Sequence, residues 1–235
     1  MELGKRFSNE YGPNKLVKDY LLLVKKHMNK DSVILDAGCG EGGVFSKSIL
    51  NKKGKRKSLI GIDLGNAKNP YVDKKYFGSL DKLPFKDNTF DIIVCEWVAE
   101  HLEKPQLVFN EFSRVLKKDG HLILFTPNVL NSLVFFSKII PNKLKDIILK
   151  KFLNKEEDDL FPVYLRCNTV RKINQLSKKT ELKREFINTY YNPDYFIFSK
   201  LLHKSLIYFY LFLIKFRLFR FTKMYILVDY KNDKR

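Results

Sequence analysis

The sequence predicts an α/β fold in which helices cover both faces of a mostly parallel sheet. Between residues 31 and 126, compact apolar runs alternate with segments of helical spacing, which is typical of parallel strands joined by helices. The runs are apolar at successive positions, as expected for strands that are buried on both faces. A glycine-rich turn directly follows the first run and opens a helix, an arrangement that often holds a ligand at the carboxyl edge of a sheet.

The elements of this first part follow one another in a regular order. Residues 13–29 are predicted to form an amphipathic helix that packs over the sheet or covers its ligand site, because apolar side chains recur on one face. Strands are predicted at Val33–Ala37, Leu59–Asp63, Asp91–Cys95 and His121–Thr126. Helical spacing predicts helices at Val44–Leu50 and Gln106–Leu116, and the second ends before the turn that contains Gly120.

The amino-acid composition of the chain changes after Pro127. Residues 129–162 mix aromatic and basic residues and are predicted to form a helical insertion with one short helix, Lys143–Phe152. Further elements are predicted at Thr169–Lys178 (helix), Leu182–Thr189 (strand), 194–219 (helix) and Met224–Tyr230 (strand). We therefore predict a single domain over residues 1–235, with its core at about 30–130 and 165–230 and an apolar helical segment at about 194–220.

Length and composition are those of one folded unit with a strongly basic surface. The chain has 235 residues, 45% of which are apolar, and this is enough for one hydrophobic core. Its formal net charge of +18 creates a positive field that attracts nucleic acid, nucleotide-linked substrates or anionic lipid headgroups. The charge also fits a lysine-rich genome, because the basic residues are dispersed along the chain. Charge alone therefore leaves the partner open.

The cysteines and the amino terminus predict a cytoplasmic location. Cys39, Cys95 and Cys167 lie far apart and without C-x-x-C spacing, which argues against a disulfide framework or a zinc site. The first residues contain no apolar signal segment. The uninterrupted apolar run Leu206–Ile214 is shorter than the roughly 20 residues of a membrane-spanning helix. We expect a cytoplasmic protein and leave open a peripheral contact with the inner face of a membrane.

The segment from Val33 to Gly43 predicts a site for a nucleotide-like ligand. A strand runs into a glycine-rich turn, and glycine lets the backbone approach a ligand where a Cβ atom would collide. Asp63 ends the second strand, where its carboxylate can accept hydrogen bonds from both hydroxyls of a ribose. Gly38, Gly40 and Gly43 also satisfy G-x-G-x-x-G, with Asp63 20 residues further on, as in dinucleotide-binding proteins. The glycines alone therefore do not identify the ligand.

Asp36 separates the two alternatives by its charge. It places an anion at the tip of the first strand, where it would repel a pyrophosphate held by the following helix N-terminus. A ligand that carries an ammonium and a sulfonium group would instead be attracted. The sequence therefore favours S-adenosyl-L-methionine as the cofactor, against the alternative of an acidic strand end beside an ordinary glycine turn.

Six segments resemble motifs of the class I S-adenosylmethionine-dependent methyltransferases. They match the type 11 branch, which includes ubiquinone-biosynthesis and polysaccharide-associated methyltransferases, in order and spacing. The segments are Leu35–Gly40 (LDAGCG), Gly61–Leu64 (GIDL), Gly78–Asp91, Glu100–Leu102 (EHL), Arg114–Gly120 and Thr126–Asn128 (TPN). The resemblance covers about residues 30–130 and implies a Rossmann-like sheet of seven strands with an antiparallel last strand.

The resemblance also implies a role for each matched position. The implied cofactor-binding residues are Asp36, Gly38 and Gly40 around the methionine part, Asp63 on the ribose, Leu64, Ser79 and Leu80 around the adenine, and Cys95 and Glu96 on the acceptor side. The family often has an acidic residue at the position of Ser79. Because a serine hydroxyl can also accept a hydrogen bond, the role is retained there.

His101 is the predicted catalytic residue. An imidazole can take a proton from an acceptor hydroxyl near neutral pH, although a histidine at this place can also simply be bonded within the following helix. In the ubiquinone-biosynthesis O-methyltransferases that this segment resembles, a glutamate three residues before the Glu-His pair helps to hold a divalent ion. Trp97 stands at that position here. Glu96 and Glu100 alone leave the match broken, so no metal is predicted.

The predicted function is that of an enzyme, a transferase that O-methylates a small or lipid-linked acceptor such as a glycan precursor or a quinone ring. Methylation of RNA is the alternative reaction, but the sequence has no RNA-binding appendage and no Asn-Pro-Pro-Tyr tetrad. A cofactor-binding module without turnover is the alternative of another class, and the intact glycines and Asp63 argue against it. Nucleic acid is therefore not an expected partner, and the oligomeric state stays open.

The insertion and the tail are expected to select the acceptor, because the common core does not explain them. Apolar residues of Lys143–Phe152 form a stripe bordered by lysines, which is typical of a helix at a membrane interface. The segment 194–220 is interpreted as a lid, a dimer element or a membrane contact, since its basic residues do not form one polar face.

Overall fold

The computed structural model describes residues 2–49, 56–130, 162–192, 200–215 and 223–234. In these ranges the strands are β1 Val33–Ala37, β2 Ser58–Asp63, β3 Lys74–Phe77, β4 Phe90–Glu96, β5 Leu116–Pro127, β6 Leu182–Tyr190 and β7 Tyr225–Asn232. The helices are α1 Glu2–Tyr11, α2 Pro13–His27, α3 Val44–Ile49, α4 Pro105–Val115, α5 Val170–Ser177 and α6 Lys200–Lys215. A single 3₁₀ turn, Ala99–His101, follows β4.

The strands form one sheet in the order β3-β2-β1-β4-β5-β7-β6. Strands β1 to β5 pair in parallel, and β7 is antiparallel to both of its neighbours, β5 and β6. The direction in which the chain adds strands reverses beside β1, which pairs with β2 on one side and with β4 on the other. Ligands of open α/β sheets bind at the carboxyl ends of the strands next to such a reversal. The prediction of a Rossmann-like, seven-stranded, mostly parallel sheet with an antiparallel last strand is confirmed.

All six predicted strands are present, and β5 begins earlier than expected, at Leu116. The seventh strand, β3, was missed by the sequence analysis. Its four residues, KKYF, lie at the edge of the sheet and are half-buried or exposed, so they form no apolar run. Helix α1 was missed as well, because its apolar residues are few and widely spaced.

The predicted helices near residues 13–29, 44–50, 106–116 and 169–178 are confirmed as α2, α3, α4 and α5. The predicted helix 194–219 is present as α6 over Lys200–Lys215. The predicted insertion falls almost wholly outside the described residues, together with its short helix Lys143–Phe152.

The sheet is buried on both faces, as its apolar runs predicted. Alternate residues of β1 and β4 point to opposite sides, so that Leu35 and Ile93 join one apolar cluster while Ile34 and Ile92 join another. Helix α4 contributes Val108, Phe109 and Phe112 to the first cluster, and helix α2 contributes Leu16, Tyr20 and Val24 to the second. Helix α2 thus covers the face that lies opposite α4.

A third apolar cluster joins the first and last helices. Phe7 of α1, Tyr191 after β6, and Ile207 and Tyr210 of α6 are buried against one another. The other side of α6 exposes apolar side chains, among them Phe212, which is 56% exposed. Within the described parts of the chain, no helix combines the length and the apolar character needed to cross a membrane.

Candidate functional site

A cavity of about 420 Å³ opens at the carboxyl ends of β1, β2, β3 and β4. It is lined by Gly38, Gly40, Asp63, Leu64, Gly78, Ser79, Leu80, Asp81, Trp97, Val98, His101, Leu102, Glu103, Lys104, Val108, Pro162 and Tyr164. Seven of the ten site residues predicted from the sequence are among them. The cavity has the size of a small-molecule site and combines apolar walls with a few polar groups.

The turn after β1 needs glycine for a steric reason. The φ angle of Gly38 is +76°, and a Cβ atom there would lie 2.2 Å from Cγ2 of Val98. The backbone nitrogen atoms of Gly38 and Cys39 both donate to the carbonyl oxygen of Ile62, at 2.8 and 3.1 Å. Glycine therefore lets the turn fit between β2 and the loop after β4, where it forms the floor of the cavity.

Asp63 is held at the edge of the cavity by two backbone amides. Its Oδ2 atom accepts from the nitrogen of Gly40 at 2.9 Å, and its Oδ1 atom accepts from the nitrogen of Gly65 at 2.7 Å. Each carboxylate oxygen can accept more than one hydrogen bond, so both can still receive donors from a ligand. The two amides fix the direction of the carboxylate before any ligand arrives.

Asp36 lies next to the cavity but does not line it. The residue is 3% exposed, and its Oδ2 atom has no hydrogen-bond partner among the described residues. Burial, and secondarily the nearby charge of Glu96, raises the pKa of Asp36 to about 7. A hydrogen bond with the side chain of Ser46 lowers the pKa but does not offset burial, so the Oδ2 atom remains able to accept a further donor.

The side chain of Glu96 occupies the N-terminus of α3. This contact bears on the choice between the two kinds of ligand that the glycine pattern allowed. Its carboxylate accepts from the backbone nitrogens of Val44 at 2.6 Å and Phe45 at 2.8 Å, and from the hydroxyl of Tyr20 at 2.7 Å. A Cβ atom on Gly43 would lie 2.4 Å from Oε2 of Glu96. In a dinucleotide-binding protein these amides would face a pyrophosphate. Here an internal anion takes that place, so the glycines do not form a phosphate site.

Cys95 and Glu96 were predicted to face the cofactor, and the structure places neither of them in the cavity wall. Cys95 is fully buried within the apolar cluster under α4, where burial raises the pKa of its thiol. Glu96 points to the other side of the sheet, toward α2 and α3. The reason is the alternation of a strand, because two successive side chains cannot both face one ligand.

The opposite wall of the cavity follows β4 and was mostly missed by the sequence analysis. Trp97 has a φ angle of +57°, an unusual conformation for a large side chain, and its ring packs edge-on against Phe125 and Tyr225. Trp97 is the single tryptophan of the chain and directly follows a buried strand. This position in the sequence could have indicated that Trp97 lines the cavity. Tyr164, which lies in a distant segment of the chain after the predicted insertion, carried no such signal.

His101 lies in the same wall, with its ring held by the loop that follows the insertion. Its Nδ1 atom is 3.0 Å from the carbonyl oxygen of Pro162. A carbonyl only accepts, so Nδ1 carries the hydrogen and Nε2 is the basic nitrogen of the neutral ring. The backbone nitrogens of Tyr164 and Leu165 both donate to the carbonyl of Glu100, at 2.8 and 3.0 Å, which keeps this loop against the 3₁₀ turn.

Two of the matched motifs meet in a buried polar network behind this wall. The hydroxyl of Thr126 donates to the carboxylate of Glu100 at 3.0 Å and accepts from the side-chain amide of Asn168 at 2.6 Å. Burial raises the pKa of Glu100. Glu96 and Glu100 therefore bind separate groups, and the two carboxylates do not form a shared ion site.

The motif Arg114–Gly120 supports the side of the cavity that contains Ser79 and Leu80. The guanidinium of Arg114 donates to the carbonyl oxygens of Phe85 at 2.7 Å and Leu83 at 3.0 Å, and to the carboxylate of Glu111 at 2.7 Å. These bonds fix the loop that follows Ser79 and Leu80. The motif thus acts on the site by positioning a loop and not by touching a ligand.

Comparison with known proteins agrees with this geometry. A family model described as "Methyltransferase domain" matches residues 35–124. An uncharacterized protein of Methanocaldococcus jannaschii is 32% identical over 147 residues, which cover 58% of this chain and 62% of the relative. The uncharacterized methyltransferase YcgJ of Bacillus subtilis is 33% identical over 98 residues, 39% of each chain. The chain thus spans less than two thirds of the length of these curated relatives.

Solved structures share the fold. The crystal structure of YcgJ superposes with a TM-score of 0.58 at 17% identity and covers 93% of this chain and 100% of that chain. The geranyl diphosphate C-methyltransferase of Streptomyces coelicolor, crystallised with Mg²⁺, geranyl-S-thiolodiphosphate and S-adenosyl-L-homocysteine, gives a TM-score of 0.58 at 15% identity over 94% of this chain and 76% of that chain. With its ordered motifs, its 3-2-1-4-5-7-6 sheet and the family match at 35–124, this chain contains a class I S-adenosylmethionine-dependent methyltransferase domain of the type 11 branch.

Proposed function

We propose that this chain is an enzyme that uses S-adenosylmethionine to methylate a hydroxyl group of a small or lipid-linked acceptor. The observation that carries the proposal is the pair of buried carboxylates beside the glycine turn. Glu96 accepts the hydrogen bonds of the amides at the N-terminus of α3, so these amides are not available to a phosphate. The Oδ2 atom of Asp36 has no hydrogen-bond partner among the described residues. This environment suits a cofactor that is cationic and carries no phosphate.

The residues present fit S-adenosylmethionine part by part. Asp36 would attract its ammonium group, while the backbone of Gly38 and Gly40 leaves room for the methionine chain. Asp63 would accept hydrogen bonds from the ribose, in the direction that the amides of Gly40 and Gly65 already impose. Ser79 and the apolar Leu80 lie where the adenine is expected. When bound, the cofactor supplies an activated methyl group on a sulfonium.

The wall formed by Trp97, Val98 and Leu102 would exclude water from the acceptor side. Methyl transfer needs the acceptor atom to lie in line with the methyl group, so positioning and desolvation are the main contributions of the protein. The apolar side chains favour an acceptor with an apolar part. Lys104, at the start of α4, adds a positive charge that suits an acceptor bearing phosphate.

His101 would act as the general base of the reaction. The hydrogen bond of Nδ1 to the carbonyl oxygen of Pro162 leaves Nε2 as the basic nitrogen and fixes the orientation of the ring. A base is needed for methylation of a hydroxyl, because the acceptor oxygen must lose its proton when it is alkylated. The geranyl diphosphate methyltransferase that shares this fold is a C-methyltransferase. The proposal that the acceptor atom is an oxygen therefore rests on His101 and not on the relatives.

Isothermal calorimetry with S-adenosylmethionine, S-adenosylhomocysteine and NAD⁺ tests the cofactor. We expect binding of the first two and no heat with NAD⁺. Asp63→Asn should weaken S-adenosylmethionine binding by about 10–100-fold, because hydrogen bonds from the ribose to a charged acceptor contribute about 1.5–3 kcal/mol. Asp31→Asn, an exposed residue before β1, is the matched control and should leave the affinity unchanged. Tight binding of NAD⁺, or no binding of S-adenosylmethionine, would overturn the proposal.

A further inference from the structure

Four side chains that can bind metal meet at the end of the sheet that lies away from the cavity. They are His27, the last residue of α2, His121 on β5, Glu185 on β6 and Asp229 on β7. His121 pairs with Ile92, near the start of β4, whereas the cavity begins after the last residue of that strand. This His-Asp-Glu cluster therefore has no part in the proposed cofactor or acceptor site.

Asp229 is the centre of the cluster. It is fully buried, and each of its oxygens binds a different imidazole. Oδ2 lies 2.8 Å from Nε2 of His27, and Oδ1 lies 2.9 Å from Nδ1 of His121. The two imidazole rings are stacked, with centroids 3.4 Å apart and planes inclined by 16°. The two ring nitrogens therefore bind the two oxygens of one carboxylate, side by side.

Glu185 is brought to the cluster by an irregularity of β6. Arg184 pairs with Tyr230, and Phe186 pairs with the next residue of β7, Asp229. Glu185 therefore has no paired residue in β7 and forms a β-bulge. A bulge of this kind turns a side chain out of the regular alternation, and bulges occur often beside functional sites. The bulge is defined by the pairing of β6 with β7 and lies directly beside Asp229. It is therefore independent of the side-chain distances.

The spacing of the four ligand atoms suits a divalent ion. One atom from each residue lies within 4.8 Å of the others. A tetrahedral zinc ion with bonds of 2.0–2.1 Å separates its ligand atoms by about 3.3 Å. The ring nitrogens lie 2.8 and 2.9 Å from the two oxygens of Asp229, so binding an ion would require the rings to turn and the exposed side chain of Glu185 to close the remaining distance. Two neutral imidazoles and two carboxylates would also balance the charge of the ion.

We propose that His27, His121, Asp229 and Glu185 bind one divalent transition-metal ion of the zinc class, which ties helix α2 to strands β5, β6 and β7. Two imidazoles and carboxylate oxygens are ligands that zinc and cobalt prefer. The ion would fasten α2 at its carboxyl end. The hydroxyl of Tyr20, in the middle of the same helix, binds Glu96 at 2.7 Å, so the ion would also hold α2 in the position that α3 requires.

Cobalt and zinc titrations of the untagged, chelator-treated full chain test the proposal. We expect one equivalent of Co²⁺ to bind with the visible absorption of a tetrahedral site, Zn²⁺ to displace it, and either ion to raise the melting temperature. Absence of a one-equivalent cobalt spectrum and of a thermal shift would show that the cluster is held by hydrogen bonds alone and would overturn the proposal.

Two variants locate the ion. Glu185→Gln replaces an exposed ligand, so the chain should fold, and it should weaken cobalt binding at least tenfold, roughly the smallest loss seen on removing groups that support a metal site. His121→Gln should abolish the tetrahedral spectrum. His203→Gln on α6 is the matched control, because it removes a histidine from another part of the fold. A cobalt spectrum that persists in both cluster variants, or that His203→Gln removes, would assign the ion elsewhere.

Discussion

Asp36 and Asp229 are both buried carboxylates on the same sheet, but the two ends of the sheet treat them in opposite ways. At the carboxyl end, the Oδ2 atom of Asp36 has no partner among the described residues, and burial raises the pKa of this side chain to about 7. At the amino end, burial also opposes the charge of Asp229, but hydrogen bonds to His121 and His27 outweigh it and lower the pKa.

The difference separates a carboxylate oxygen that the described residues leave without a hydrogen bond from a carboxylate that two imidazoles already bind. A buried charge whose partners belong to the chain contributes to stability, whereas one without partners reduces it. Selection for stability alone would remove the second kind. The carboxyl end of the sheet is therefore where we expect a cationic cofactor, and the amino end, with or without its proposed ion, is where we expect substitutions to affect folding first.

Asp229→Ala is the strongest test of the amino end. Removal of the carboxylate leaves two stacked imidazoles without their acceptor, and we expect the free energy of unfolding to fall by about 3–5 kcal/mol. Urea denaturation in the presence of a chelator measures the effect of the hydrogen bonds without that of any ion. Asp31→Ala, at an exposed carboxylate before β1, serves as the control and should unfold like the parent chain. An equally small effect for Asp229 would remove the distinction between the two ends.

His101→Gln tests the carboxyl end through chemistry instead of stability. The substitution should lower kcat for methyl transfer by about 100-fold, the lower range of general base catalysis, and leave the affinity for S-adenosylmethionine and the unfolding midpoint unchanged. The acceptor is first found by incubating the parent chain and labelled S-adenosylmethionine with lipid extracts and small hydroxyl compounds. Parallel losses of kcat and of cofactor affinity would show that His101 only supports the fold of the wall.

Asp36→Asn should affect folding less than Asp229→Ala, and with the opposite sign. At pH 8 we expect the substitution to stabilise the ligand-free chain by about 1–3 kcal/mol, because it removes a buried charge whose Oδ2 atom has no hydrogen-bond partner among the described residues. The same change should weaken S-adenosylmethionine binding. Urea denaturation and calorimetry on the same preparations measure both effects, and a variant that is less stable at pH 8 and binds as the parent does would contradict the proposed role.

The pH dependence of this variant follows from linkage. In the folded chain the pKa of Asp36 is about 7, against 3.8 for its ordinary value. The protonated side chain therefore favours folding below pH 3.8, and this contribution is lost progressively as the pH rises to about 7. The stability difference between Asp36→Asn and the parent should be small at pH 4, grow through the interval and level off above about pH 7. A difference that does not change with pH would mean that Asp36 is not the titrating group.

The carboxyl end could largely be predicted from the sequence, and the amino end could not. Gly38, Gly40 and Asp63 lie within 26 residues of one another, and strand periodicity indicates which edge of the sheet they share. His27, His121, Glu185 and Asp229 come from four distant segments, and no local spacing connects them. The position of Glu96 was also hidden, because its partners Tyr20, Val44 and Phe45 lie 51 to 76 residues away in sequence.

The bond between Tyr20 and Glu96 has a consequence for how the chain can be divided. A fragment of residues 35–124 keeps every glycine of the turn but loses the hydroxyl that orients Glu96. It also loses β7, so that β5 becomes an open edge with unpaired backbone groups, which invites association with other chains. We therefore expect the smallest autonomously folding unit to be longer than the matched stretch 35–124, because α2 precedes that stretch and β7 follows it.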